Sequence, residues 1–319
     1  VEWTTFLEHN GRINRAVSLA QQYNSANIAD ANGYDLYAEA LLLAGRGKEA
    51  LDIASQYEQF NTENPAGHEK RGRALIMTGA AEEGIEELRK AVQLAPDEPK
   101  FHVALGVALH DNGDANKAAL ELRAALKASP DDAQIHILLG SALRDQDETD
   151  EAREQLEKAI ALDPKNGGAY FELGVLYNRQ LKQADAQEAF GKAVELSPNE
   201  SRYWYAYGEI FRVQQRIDDA LRAYRKAVDL TPPYPKAYAR LGGMLAEKKQ
   251  YDEAETVLTT AVRRDDRNPV GYWYLGKVYA AKKRYRAAAD MLESYLRYAA
   301  KNDENRDRAK ELINQYKRK

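Results

Sequence analysis

The sequence predicts an all-α fold in which antiparallel helix hairpins stack into a solenoid. Three ladders of small residues, all with a spacing of 34 residues, lead to this prediction. The first ladder consists of Gly72, Gly106, Gly140, Gly174, Gly208, Gly242 and Gly276. The second consists of Gly84, Ala118, Ala152, Ala186, Ala220, Ala254 and Ala288, and the third of Ala91, Ala125, Ala159, Ala193, Ala227 and Ala261. Small residues in a fixed register indicate positions where helices approach each other closely.

The residues between these ladders predict two helices in each repeat. Leucines such as Leu105, Leu109 and Leu122 follow helical spacing and fill the space between the helices. A proline then closes five of the units, because its ring removes a hydrogen-bond donor and ends the second helix. These prolines are Pro96, Pro130, Pro164, Pro198 and Pro232. One hairpin cannot bury its apolar stripe alone, so we expect stability to come from its neighbours.

The repeat closely resembles the tetratricopeptide repeat. In residues 167–200, Tyr170, Leu173–Gly174 and Tyr177 precede Ala186, Phe190, Ala193 and Pro198, as in the pattern of that family. The resemblance implies a right-handed superhelical solenoid, and the alanine-, aspartate- and glutamine-rich helices look bacterial. We predict a partial N-terminal repeat at 1–30 and a polar capping helix at 303–319. The eight full repeats are predicted at 31–64, 65–98, 99–132, 133–166, 167–200, 201–234, 235–268 and 269–302.

The composition is that of a folded chain with an uneven charge distribution. Hydrophobic residues make up 44% and charged residues 30%, which argues against disorder. The absence of cysteine excludes disulfides and thiol catalysis. Residues 235–319 contain 20 Lys and Arg against 12 Asp and Glu, whereas residues 1–234 contain 26 against 38. We therefore expect the two ends of the solenoid to present different surfaces.

The first residue is Val1, so we expect the chain to be a processed product or a piece of a longer protein. A signal peptide, a lipid anchor or further domains could then have preceded or followed it. No apolar run approaches the ~20 residues of a membrane span. The sequence is compatible with a soluble protein of the cytoplasm or the periplasm, and it does not indicate an oligomeric state.

The sequence predicts no catalytic residue, cofactor or metal site. His68, His102 and His136 recur every 34 residues, but later repeats have Tyr170, Trp204, Tyr238 and Tyr272 in the same position. We therefore interpret these histidines as packing residues. Equivalent atoms in stacked hairpins are also about 10 Å apart, which is too far to share one ion.

In the family that the repeat resembles, the first helices of successive hairpins line a concave groove. That resemblance implies that a protein or peptide ligand binds the residues at fixed offsets in those helices. An apolar middle of the groove favours a helix or an extended peptide. The alternative is that some of these side chains pack against the neighbouring hairpin. The apolar candidates are Val103, Val107, Ile137, Phe171, Val175 and Tyr205.

Towards the C-terminal end, the predicted groove becomes basic and aromatic. An acidic peptide or carboxylate-bearing surface matches this end, because arginine, tyrosine and tryptophan often dominate binding energy. The alternative is a charged face that contacts only solvent. These candidates are Glu209, Arg212, Lys236, Arg240, Trp273, Tyr274 and Lys277. Lys236 and Arg240 match one part of the carboxylate clamp with which some members of the family bind chaperones. Phe171, Val175 and Ala206 replace the other residues of that clamp, so it is not expected here.

The favoured function is a scaffold or adaptor that binds a partner protein and organises a larger assembly. Bacterial envelope, pilus and polarity assemblies are analogues by resemblance only. The alternative is a regulatory repeat region of a larger enzyme, such as a glycosyltransferase. RNA binding through the basic end is less favoured, because acidic residues are interleaved there and the overall pI is about 5.9.

Overall fold

The computed structural model describes residues 13–26, 31–60 and 63–319, and all regular structure in these ranges is helical. The predicted partial repeat at 1–30 is described only for 13–26, and its remainder lies outside the described residues. The helices of the first part are α1 (Ile13–Ala26), α2 (Ala31–Leu43), α3 (Gly47–Phe60), α4 (Pro65–Met77), α5 (Ala81–Leu94), α6 (Pro99–Asp111), α7 (Ala115–Ala128), α8 (Ala133–Asp145) and α9 (Thr149–Leu162). They are followed by α10 (Gly167–Arg179), α11 (Gln183–Leu196), α12 (Ser201–Val213), α13 (Ile217–Asp229), α14 (Pro235–Glu247), α15 (Tyr251–Arg264), α16 (Pro269–Ala281), α17 (Tyr285–Tyr298) and α18 (Arg306–Tyr316).

The helices form two compact units, one ending at Pro164 and the other beginning at Lys165. In the first unit, α2–α3, α4–α5, α6–α7 and α8–α9 pair as hairpins, and each hairpin packs on the next. In the second unit, α10–α11, α12–α13, α14–α15 and α16–α17 do the same, and α18 packs on α17. The all-α class with stacked hairpins, predicted from the sequence, is confirmed.

Turn residues at the start of the first helices explain why these helices begin where they do. Asp132 accepts hydrogen bonds from the backbone amides of Gln134 and Ile135, and Asn166 accepts one from the amide of Gly168. These side chains satisfy amides that have no partner inside a helix. Among the described helices, none is long and apolar enough to cross a membrane.

The glycine ladder marks the closest approach inside each hairpin. A Cβ at Gly106 would lie 2.8 Å from the Leu122 side chain, and one at Gly174 would lie 2.7 Å from the Phe190 ring. Both distances are too short for a real contact between carbon atoms. The large side chain of the second helix therefore occupies the space that the glycine leaves, as the sequence predicts.

The turn between the two helices of a hairpin also repeats, with one residue in the left-handed region. Early turns have glycine there, as at Gly79 and Gly113, with φ of 97° and 86°. Later turns have a residue with a side chain at the same position. Those residues are Asp147, Leu181, Gln215, Lys249 and Lys283, with φ between 58° and 65°. The left-handed region costs a residue with a Cβ roughly 1–2 kcal/mol.

We expect Leu181→Gly to stabilise the protein by about 1 kcal/mol, because it removes this conformational cost. The Leu181 side chain is 80% exposed, so little packing is lost. Thermal unfolding followed by circular dichroism measures the effect. Gly113→Leu is the reverse control: a Cβ there has open space within 4 Å, so only the backbone cost should appear, as a lower melting temperature. Unchanged melting temperatures for both variants would contradict this account.

Candidate partner-binding surface

The apolar groove candidates differ in how far they are open to solvent. Val103 and Val107 lie one helical turn apart on α6 and are half-buried. Ile137 on α8 is only 6% exposed and belongs to the core of the first unit. Ile137 is thus a packing residue, which is the alternative that the sequence left open for some members of this set.

Phe171 in the second unit is likewise a packing residue. It is 3% exposed, its ring stacks on Tyr203 at a centroid distance of 4.4 Å, and the Phe190 ring lies 5.7 Å away. The guanidinium of Arg202 covers it at 4.6 Å. Val175 packs against the same cluster and is half-buried. A ligand could reach Phe171 only if these neighbours moved, so replacing it would test folding rather than binding.

Two of the basic candidates, Arg212 and Arg240, meet at the carboxylate of a third candidate, Glu209. Glu209 on α12 accepts hydrogen bonds from Arg212 Nη2 at 2.9 Å and from the Tyr224 hydroxyl, and Arg240 Nε lies 3.1 Å from it. Tyr205 lies beside Arg240. Burial, reinforced by the Glu209 carboxylate, raises the pKa of both Tyr205 and Tyr224. Two guanidiniums therefore share one carboxylate, which leaves an excess positive charge between α12 and α14.

Beside this network, a hollow of about 250 Å³ opens between α14 and the start of α16. It brings together Tyr205, Lys236 and Arg240 from the predicted set, and the loop before α16 adds Arg267 and Asp265. Three cations and one carboxylate thus line the hollow. Sequence reasoning did not identify Arg267, because it lies in the connecting loop and outside the helical offsets. The cavity, with its three cations Lys236, Arg240 and Arg267, is called the α14–α16 hollow below.

The last three candidates share α16. Tyr274 donates a hydrogen bond to Glu247 Oε1 at 3.1 Å, and its ring packs so closely on α14 that a Cβ at Gly243 would lie 2.7 Å from it. Burial and then the Glu247 carboxylate raise the pKa of Tyr274. Lys277 is exposed, with its Nζ 5.2 Å from the Tyr274 ring centre. Trp273 points elsewhere, into a hollow of about 570 Å³ that α18 helps to form.

In the first unit, an ion-pair cluster joins α2 to α4. Lys70 Nζ lies 2.6 Å from Glu69 and 2.9 Å from Glu39, and Arg73 Nη1 lies 2.8 Å from Glu39 and 2.9 Å from Glu69. Burial opposes the charge on Glu39, but Lys70 and Arg73 outweigh it and hold the pKa of Glu39 below its usual range. The 34-residue spacing from Glu39 to Arg73 was the signal in the sequence that could have predicted this pairing.

The recurring histidines are buried packing residues, as the sequence predicts. His102 Nδ1 lies 2.7 Å from Glu121, and its Nε2 lies 2.9 Å from the Pro96 carbonyl oxygen. His136 makes the same two contacts, to Gln155 and the Pro130 carbonyl. In later repeats, Trp204 Nε1 and the Tyr272 hydroxyl donate to the equivalent loop carbonyls at 2.8 and 3.1 Å. The shared role is to tie a first helix to the loop before it.

No group of three potential metal ligands occurs in the described ranges.

The chain belongs to the tetratricopeptide-repeat family. One profile of this repeat matches residues 69–133, 103–166, 137–186 and 179–235, which together span more than half of the chain. A second matches 214–273. Tetratricopeptide-repeat proteins are generally protein–protein interaction scaffolds that bind peptides or protein surfaces, and they are typically non-catalytic.

Solved structures with the same fold are only distantly related in sequence. A chain of the APC/C hetero-tetramer Cut9–Hcn1 is 15% identical with a TM-score of 0.63, covering 95% of this chain and 52% of that one. Yeast Tom70 is 19% identical with a TM-score of 0.62, covering 89% and 60%. A chain of the human IFIT1 dimer is 17% identical with a TM-score of 0.58, covering 94% and 82%. The chain thus spans about half of the Cut9–Hcn1 chain. No curated protein sequence matches it.

We expect Glu39→Gln to lower the free energy of unfolding by about 2 kcal/mol at neutral pH, because the two partly buried cations Lys70 and Arg73 then share only the Glu69 carboxylate. A carboxylate with a depressed pKa stabilises the fold above its unfolded value of about 4.3 and loses this effect as the pH falls through its folded value. The difference between the variant and the parent should therefore shrink below about pH 4. Urea unfolding across pH measures it.

Glu86→Gln is the matched control, because Glu86 lies in the same unit with its side chain 62% exposed. It should change stability little at any pH. Equal losses in the two variants would show that the α2–α4 cluster has no special role.

Proposed function

We propose that the protein is an interaction scaffold that binds an acidic peptide or acidic helix of a partner on the first-helix face of its second unit. The observation that carries the proposal is the α14–α16 hollow, which is lined by three cations, from α14 and the loop before α16, and by a single carboxylate. Through such binding, the protein organises a larger assembly. A bacterial envelope, pilus or polarity complex is the kind of setting that suits it.

The charges of the hollow are available to a ligand. Lys236 is exposed, and no carboxylate in the described residues pairs with its side chain or with that of Arg267. Arg240 is partly neutralised by Glu209, which also holds its guanidinium in place. A pre-positioned arginine beside free cations favours carboxylates, because charge-assisted hydrogen bonds to arginine are strong and directional.

Helix α16 supplies apolar side chains at Val270, beside these charges, and at Trp273, which lines the neighbouring hollow. Val270, Trp273 and Lys277 lie at i, i+3 and i+7, so they share one face of the helix. Val270 borders the α14–α16 hollow, and Trp273 is half-buried. Aromatic side chains and arginines are the residues that most often dominate interface energy.

In the first unit, the half-buried Val103 and Val107 are the remaining candidates for an apolar contact. The buried Ile137 of the first unit and Phe171 of the second are not part of the proposal.

Lys236→Glu should weaken binding of a fluorescently labelled polyglutamate peptide by about five- to tenfold at low ionic strength, with a smaller effect in high salt. Fluorescence anisotropy measures the affinity. Lys226→Glu is the matched control: it makes the same charge change at an exposed position on α13 of the same unit, outside the hollow. Equal loss in both variants, or preference for an RNA oligonucleotide over the peptide, would overturn the proposal.

Glu209→Gln should change affinity in the opposite direction. It removes the carboxylate that competes for Arg212 and Arg240, so we expect the polyglutamate peptide to bind about two- to fivefold more tightly. The same anisotropy measurement applies, with circular dichroism to confirm that the variant is folded. Weaker binding by a folded Glu209→Gln variant would show that the arginines act only inside the network and not on a ligand.

A further inference from the structure

Helix α18 has a second apolar face, partly open to solvent, beside the one that is buried on α17. Ala309 and Ile313 lie one turn apart, are buried, and pack on the core around Leu292 and Tyr295. A second row runs along the same helix at Arg308, Leu312 and Tyr316, with four-residue spacing. Leu312 and Tyr316 border the same core, and the Tyr316 ring lies 5.6 Å from that of Tyr285, but both side chains stay partly exposed. A cap that only made the end of the stack soluble would have polar residues in that second row.

The second face of α18 forms one wall of the 570 Å³ hollow whose other wall is α16. Trp273, Leu312 and Tyr316 are half-buried and give the hollow an apolar surface. The Trp273 ring is supported from behind by buried Tyr295, at a centroid distance of 5.2 Å. Because packing already holds the Trp273 ring, little conformational entropy is lost when a ligand contacts it.

The charged side chains that line this hollow are all cations: Lys277, Arg308 and Lys319. Lys277 and Lys319 form no ion pair within the described residues, and Lys319 Nζ lies 4.6 Å from the Tyr285 ring centre. Arg308 is 3.0 Å from Glu311, but both side chains are more than half exposed. Such a pair contributes little and can open at low cost.

We infer that this hollow is a second docking site, which binds an aromatic or branched aliphatic side chain flanked by carboxylates. Helix α18 is then part of the binding surface as well as a cap. An apolar wall with a cationic rim and no lining carboxylate complements an acidic segment that carries one apolar anchor. The volume lies within the ~300–1,000 Å³ typical of sites for small ligands and anchor groups. The inference rests on the proposed function in taking the partner to be an acidic peptide.

The test uses two labelled peptides of glutamates, one with a central phenylalanine and one with a central alanine. Wild-type protein should bind the phenylalanine peptide about tenfold more tightly in fluorescence anisotropy. Arg308→Glu on α18 and Lys277→Glu on α16 should each weaken that peptide by about tenfold and reduce the difference between the two peptides.

Lys310→Glu is the matched control. It makes the same charge change on α18, and Lys310 has a similar ion pair three residues away, to Asp307 at 2.8 Å, but it does not line the hollow. Its effect should stay below about twofold. Equal losses for Arg308→Glu and Lys310→Glu, or equal affinity for the two peptides, would overturn this inference.

The outcomes also separate this inference from the proposed function. If Lys236→Glu weakens binding and folded Arg308→Glu does not, the site at α18 is refuted and the proposed function stands. If wild-type protein binds neither peptide, both are refuted.

Discussion

The close contact between a glycine of the first helix and a large side chain of the second is the constraint on which the rest of each hairpin depends. The side chain at this position is Leu88, Leu122 or Leu156 in the first unit, and Phe190, Tyr224, Leu258 or Leu292 in the second. The contact sets how near the two helices lie and how they are rotated about their axes. Because the rotation is fixed, the side chains at other offsets point in constant directions, and a binding face can form along the first helices.

At one repeat, this packing contact also reaches the candidate site. Tyr224 fills the space at Gly208 with its ring, and its hydroxyl donates to Glu209, which in turn contacts Arg212 and Arg240. The buried Tyr224 thus positions the Glu209 carboxylate, and this carboxylate positions the guanidiniums of Arg212 and Arg240. A leucine at this position would fill the same space but would give Glu209 no hydroxyl partner. Whether a repeat has leucine or tyrosine at this position therefore affects the neighbouring charges as well as the packing.

The 34-residue period was enough to predict the helices, the glycine contacts and the role of the histidines, because each depends on local spacing. It was not enough to predict exposure. Phe171 occupies the same offset as Val103, yet Tyr203 and Arg202 cover Phe171, whereas Val103 stays half-buried. Burial at a given offset depends on the residue of the neighbouring hairpin that faces it. Arg267 and the second face of α18 were missed for a related reason, since both lie outside the repeating offsets.

The tether from a first helix to the preceding loop has a consequence for how the molecule opens. The side chain that forms this tether contacts a carbonyl oxygen only six residues earlier in the chain, as at His102, His136, Trp204 and Tyr272. The segment that joins two hairpins is therefore short and fixed at both ends. Hydrogen-bonded loop amides, such as those of Glu98 and Asp132, would then exchange with solvent deuterium more readily once a hairpin detaches from its neighbour. Within each unit, hairpins would be lost one after another from an end, with the protection of each junction reporting the strength of a single interface.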